Sequence, residues 1–96
     1  MSTAKYALRS FSEGGLLMFY VYILKSIKYD QIYIGQTDDL KRRIEEHNSG
    51  KSFHTKKYAP WEIKSYFAFE EKTTAVGFEK YLKTGSGKAF LRKRLL

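Results

Sequence analysis

Ninety-six residues, 43% of them hydrophobic and 17% aromatic, make one domain with a modest core and exclude a disordered tail, which would be poor in aromatics. Cysteine is absent, so disulfide partners, thiolate zinc sites and cysteine nucleophiles are excluded and a reducing, cytoplasmic setting is expected. Lys and Arg number 18 against 10 Asp and Glu, a formal charge of +8 with a pI near 9.7, the balance of a domain that attracts polyanions and nucleic acid first.

In chain order, residues 1–17 carry Ser and Gly without clear periodicity. They read as a leader that is disordered or loosely packed, or as a short helix over 4–11, and the domain proper as 18–96. The longest apolar run, 16–24, spans nine residues. That is too short to cross a bilayer, and no small-residue cleavage site follows it. Residues 19–25 are aromatic and β-branched and predict a strand. A polar connector leads to a second strand over 32–35, which makes a hairpin. Thr37-Asp38-Asp39 offers N-cap chemistry for a helix over 39–48, with Leu40, Ile44 and His47 on one face and Asn48-Ser49-Gly50 as its stop. After a basic loop, 61–69 predicts a third strand. Thr73-Thr74 would cap a helix over 75–83 whose stripe is Ala75, Phe78 and Leu82. Thr84-Gly85-Ser86-Gly87 would break it before a short basic helix over 88–94. The expected fold is α/β of the α+β type: a small three-stranded antiparallel sheet flanked by helices, in the order ββαβαα. Its expected core is Phe19, Ile23, Ile34, Leu40, Ile44, Phe67, Phe78 and Leu82.

Tyr22 and Tyr33 fall on consecutive strands, where a hairpin can make them neighbours. Strand tyrosines are ordinarily packing residues. Gly35 ends the second strand, where a missing Cβ permits close approach, although such a glycine is more commonly a turn residue. Arg43 and His47 are one helical turn apart, and His47 continues the Leu40–Ile44 stripe. Glu79 borders the stripe of its own helix and is the best-placed carboxylate for a metal. Two stretches lack acids altogether: Lys51 to Lys57, and Lys80 to the last residue.

Together these residues carry a resemblance. Val21-Tyr22-Ile23, then Tyr33-Ile34-Gly35-Gln36-Thr37-Asp38-Asp39-Leu40, then Arg42-Arg43-Ile44-Glu45-Glu46-His47-Asn48, then Glu79 before Leu82-Lys83, resemble the GIY-YIG nuclease superfamily, and its small stand-alone bacterial members in particular. The first motif departs from the pattern, because Tyr20 stands where the motif glycine would be. The resemblance implies that Tyr22 and Tyr33 line an active site and that Gly35 is the second motif's glycine. It implies that Arg43, ten residues after Tyr33, is the catalytic arginine and that His47 joins the catalytic group. Glu79 is implied to hold one divalent ion, Mg²⁺ or Mn²⁺. A further active-site Asn carried by some branches has no equivalent after Glu79.

Phosphodiester hydrolysis needs an attacking water, charge stabilisation on the phosphoryl oxygens and help for the leaving oxygen. Arg43 and a cation on Glu79 suit the last two roles. The base is the awkward role, since a free tyrosine has a pKa near 10. Tyr22 would serve only if neighbouring cations or metal-bound water lowered that value, with His47 or Tyr33 as part of a relay. The expected function is a Mg²⁺-dependent DNA endonuclease, with branched or damaged DNA as one substrate class among several: flaps, branched junctions, abasic sites and plain duplex are all open. The alternative is a catalytically inactive nucleic-acid-binding module of the same fold. Lys51, His54, Lys56 and Lys57 follow the Arg43 helix, and Lys88, Arg92, Lys93 and Arg94 follow the Glu79 helix. As two clusters they are expected to grip phosphates without reading bases.

Overall fold

The computed structural model describes residues 17–96; apart from Leu17, the leader expected over 1–17 lies outside the described residues. Three strands, β1 (Phe19–Ser26), β2 (Ile32–Thr37) and β3 (Trp61–Phe69), form one antiparallel sheet in the order β2-β1-β3. The helices are α1 (Leu40–Ser49), α2 (Lys72–Leu82) and α3 (Gly85–Arg94). The order is ββαβαα.

The central position of β1 follows from its composition. A strand with a neighbour on each side and helices above and below must be apolar on both faces, and Tyr20 through Leu24 are all buried. Alternation divides them between two cores. Tyr20, Tyr22 and Leu24 pack with Leu40 and Trp61 on one face. Val21 and Ile23 pack with Ala75, Leu82 and Leu91, from α2 and α3, on the other. Of the expected core, Ile23, Leu40 and Leu82 are fully buried. Phe19, Ile34, Phe67 and Phe78 are half-buried against the second core and Ile44 against the first.

Several expected boundaries move, each for a local reason. β2 runs on to Thr37 because its pairing with β1 continues through Tyr20↔Thr37. Asp39 caps α1 by accepting a hydrogen bond from the Arg42 amide at 3.2 Å. Gly50 ends it in the left-handed region at φ 82°. Asn48, read as part of that stop, instead clamps α1 to β3: its amide donates to the Trp61 carbonyl at 3.0 Å and its carbonyl accepts from the Trp61 amide. Thr73 and Thr74 do not cap α2. The helix begins at Lys72, and Glu71 stands at the cap position without a side-chain bond. Thr84-Gly85-Ser86-Gly87 does break the chain's direction, but the new helix starts at once. Thr84 Oγ1 accepts from the Gly87 amide at 3.1 Å and so caps α3 three residues earlier than expected. Gly87 is needed there, since a Cβ would collide with the Tyr81 carbonyl and come within 2.6 Å of Leu82 Cα. The basic loop contains a short 3₁₀ turn, Lys56–Tyr58, that was not expected.

Candidate active site at the Tyr22–His47 pair

Tyr22 and Gly35 are direct cross-strand partners. Gly35 is a buried strand residue rather than a turn. A Cβ on it would overlap the Tyr22 hydroxyl, lie 2.6 Å from Tyr22 Cζ and 2.8 Å from Tyr33 Cε2. The glycine therefore makes the space through which the Tyr22 ring lies across β2. Tyr33, two residues away on the same face, packs beside it with ring centroids 6.1 Å apart.

The Tyr22 hydroxyl meets His47 Nε2 at 2.9 Å. His47 Nδ1 meets the Thr55 hydroxyl at 2.6 Å. His47 is completely buried, more deeply than an edge residue of its helix would be, and its ring centroid lies 4.8 Å from that of Tyr33. Burial, and then the charge of Arg43, pull its pKa down to about 4. The ring is therefore neutral at ordinary pH. The bonding pattern assigns its tautomer: Nε2 accepts the Tyr22 O–H and Nδ1–H is donated to Thr55. Thr55 is itself buried, and its carbonyl accepts from Trp61 Nε1 at 3.0 Å. The loop after α1 is thereby pinned to the site.

Arg43 comes to the same hydroxyl from α1. Its guanidinium bonds Tyr22 and pairs with Glu46, Nη1 to Oε1 at 2.7 Å. The Glu46 bond in turn raises the Arg43 pKa and holds the Glu46 carboxyl below its ordinary range. The condition under which Tyr22 would serve as a base, a pKa lowered by neighbouring cations, is not met by the protein's own groups. Burial, then Tyr33, push it up to about 12, and Arg43 only partly opposes them. Desolvating a phenolate costs more than one guanidinium returns, so Tyr22 is a neutral phenol.

Glu79 lies on α2, half-buried, and pairs with Lys83 one turn on at 3.0 Å. Its charge is felt at the Tyr22 hydroxyl. Among the described residues no three His, Cys, Asp or Glu side chains gather to hold a metal. Glu79 is thus a single carboxylate, a donor set that suits a hard ion such as Mg²⁺, which keeps most of its own waters. Of the five residues expected to converge, Tyr22, Tyr33, Arg43 and His47 form one contiguous group, and Glu79 stands apart from it on α2, whose core residues pack on the other face of the sheet.

The expected phosphate-gripping residues are all exposed. Lys51, His54, Lys56 and Lys57 lie on the loop that Thr55 pins, with Lys56 Nζ 5.3 Å above the Phe53 ring. Lys88 and Arg92 border a pocket shared with Tyr33, and Lys93 and Arg94 lie in the last turn of α3. The sequence reading missed three residues that touch this group: Thr55, Glu46 and Lys83. The last two sit three and four residues after Arg43 and Glu79, a spacing that signals helical ion pairs. Thr55 has no such signal, because its place depends on how the loop folds back. Among the described residues no helix is long and apolar enough to cross a membrane.

Comparison with known proteins agrees with this geometry. The family model for the GIY-YIG catalytic domain matches residues 18–93. The UPF0213 protein CPE1444 of Clostridium perfringens is 39% identical over 67 residues, covering 69% of this chain and 71% of its own. The structure-specific endonuclease subunit SLX1 of Debaryomyces hansenii is 39% identical over 70 residues, covering 65% of this chain but only 20% of that protein. The solution NMR structure of the UPF0213 protein BH0048 from Bacillus halodurans is similar at a TM-score of 0.50 and 32% identity, covering 80% of this chain and 84% of that one.

Proposed function

The chain belongs to the GIY-YIG catalytic-domain family, and from that premise we propose that it is a metal-dependent endonuclease that hydrolyses DNA phosphodiester bonds, with branched or damaged DNA as its substrate class. The observation that carries the reading is the sharing of one hydroxyl. Tyr22 donates to the buried neutral His47 and accepts from Arg43, an arrangement that aims a phenol oxygen and a guanidinium at one point.

Arg43 binds the scissile phosphate through its planar donors, taking the phosphate in place of Glu46. Tyr22 is buried, so its phenol oxygen, held by His47, meets the attacking water only as Arg43 moves from it to the phosphate. His47 acts through Tyr22 and not on the substrate, because both of its ring nitrogens are taken, Nε2 by Tyr22 and Nδ1 by Thr55. With Tyr22 near 12 and His47 near 4, neither is a preformed strong base. Phosphoryl transfer tolerates this, since its loose transition state depends on positioning and charge stabilisation more than on early proton removal. The water oxygen bonds to phosphorus and gives up a proton to solvent, the bond to the 3′ oxygen breaks and that oxygen takes up a proton, and a 5′-phosphate and a 3′-hydroxyl remain. Glu79 would hold the divalent ion, Mg²⁺ or Mn²⁺, once Lys83 releases it. When bound, that ion supplies charge neutralisation for the phosphate and the leaving oxygen.

Nicking of supercoiled plasmid with Mg²⁺ and with EDTA tests the reading. Cutting that requires the cation supports it. Salt-dependent binding without cutting in Mg²⁺ or Mn²⁺ would make the chain a binding module of the same fold.

A further inference from the structure

A second feature adjoins this site on the other side of Tyr33. Among the described residues the outer edge of β2 is unpaired, since β2 ends the sheet. Between that edge and α3 lies a pocket of about 380 Å³, within the range of sites that take small organic groups, ~300–1,000 Å³. Its floor is apolar, with Ile32 and Ile34 from β2 and Leu91 from α3. Its rim carries three cations, Lys83, Lys88 and Arg92, and among the described residues no acid lines it. The pocket joins the catalytic group at two points: Tyr33 lines both, and Lys83 reaches from the rim to Glu79 at 3.0 Å.

An apolar floor beneath an all-cationic rim fits a group that is flat and apolar at one end and anionic at the other. A free inorganic anion would leave the floor unused, and an apolar ligand would leave Lys88 and Arg92 unused, Lys83 being paired with Glu79. A base stacked inside a duplex cannot present its faces to such a pocket, whereas an unpaired nucleotide can. We infer that the pocket between β2 and α3 receives one unpaired nucleotide of the DNA strand next to the phosphate held by Arg43, with its base on the Ile32–Ile34–Leu91 floor and its phosphate on Lys88 and Arg92. This inference rests on the nuclease reading and deepens it. The site selects DNA in which a nucleotide beside the cut lacks a partner, and the selection is made by shape and charge without reading the base edge.

The test is equilibrium binding in EDTA, so that nothing is cut, to two duplexes of equal length, one fully paired and one with a single unpaired nucleotide. The wild type should bind the second at least ~10-fold tighter, the ratio expected for about 1.4 kcal/mol from one sheltered base. Leu96→Trp, at the exposed mouth of the pocket, should fill it and abolish that ratio while leaving affinity for the paired duplex unchanged. A free deoxynucleoside monophosphate should compete only weakly; binding as tight as that of the unpaired DNA would make this a free-nucleotide site and overturn the inference. Photocrosslinking from 5-iodouracil at the unpaired position should map to residues 32–34 or 88–96. Crosslinks confined to the 51–58 loop, or equal affinity of the wild type for both duplexes, would likewise overturn it. Plasmid nicking decides the nuclease reading separately: a protein that cuts but shows no preference loses only the pocket, and one that prefers the unpaired nucleotide but never cuts loses only the nuclease.

Discussion

The Tyr22 hydroxyl occupies the space that a side chain on Gly35 would need, and the two residues face each other directly across β1 and β2. A strand glycine is ordinarily a weakness in a sheet. Here it is the condition for a phenol to lie flat across the neighbouring strand with its oxygen between His47 and Arg43.

Gly35→Ala should therefore destabilise the domain by about 1–3 kcal/mol, as overpacking does, and slow any cleavage by displacing Tyr22. The nearest clash is with the hydroxyl, so the alanine should cost less stability in a Tyr22→Phe background. Urea denaturation of the single and double variants measures the coupling. Strict additivity would show that the two residues do not share this space.

Glu46 competes with DNA for Arg43. The carboxylate sits 2.7 Å from the guanidinium, and a phosphate must take its place. Glu46→Gln should tighten DNA binding by about 2- to 5-fold at low salt, the scale of an exposed ion pair. Fluorescence anisotropy checks this, and weaker binding would mean that Glu46 orients Arg43 for the phosphate instead.

His47 makes stability depend on pH. Its pKa is about 4 in the folded protein against about 6.5 unfolded. Between those values the unfolded chain binds more protons, so stability rises with pH across that window. The full contribution is present above about pH 6.5 and is lost as pH falls toward 4, by at most about 3 kcal/mol. Unfolding free energies at pH 7 and pH 4.5 should show a larger loss for wild type than for His47→Gln. Equal losses would place the imidazole in contact with water.

Most of this architecture was legible because it rests on local patterns. The unbroken apolar run of 19–24, the aromatic-rich segment 61–69, the Asp39 cap and the Gly50 stop are each decided within a few residues of chain. Thr84 was read as part of a break, because a threonine before Gly-Ser-Gly signals a turn as well as it signals a cap. Tyr22, Tyr33, Arg43 and His47 stand out through the motifs that resemble the family's, but how they interact has no local signal in the chain. The rise of the Tyr22 pKa is a consequence of burial, and Thr55 reaches His47 only through the fold of the loop. Neither has a period or a spacing to betray it.

The loop lysines should act on binding alone. Lys56 and Lys57 are exposed and flank no catalytic side chain directly, so replacing both with Ala should flatten the log–log salt dependence of binding by about one to two units. The rate at saturating DNA should stay nearly intact. Normal binding with lost cutting would assign the loop to the chemistry.

The most direct test of the account is single-turnover cleavage in Mg²⁺ by wild type and by Arg43→Ala, at DNA concentrations where binding of both is saturated. Loss of one preorganised donor to the phosphate should lower the cleavage rate by ~10²–10³-fold while affinity, carried by the exposed lysines, falls only modestly. An Arg43→Ala protein that cuts at the wild-type rate would contradict a hydrolytic site built on the hydroxyl shared by Tyr22, His47 and Arg43.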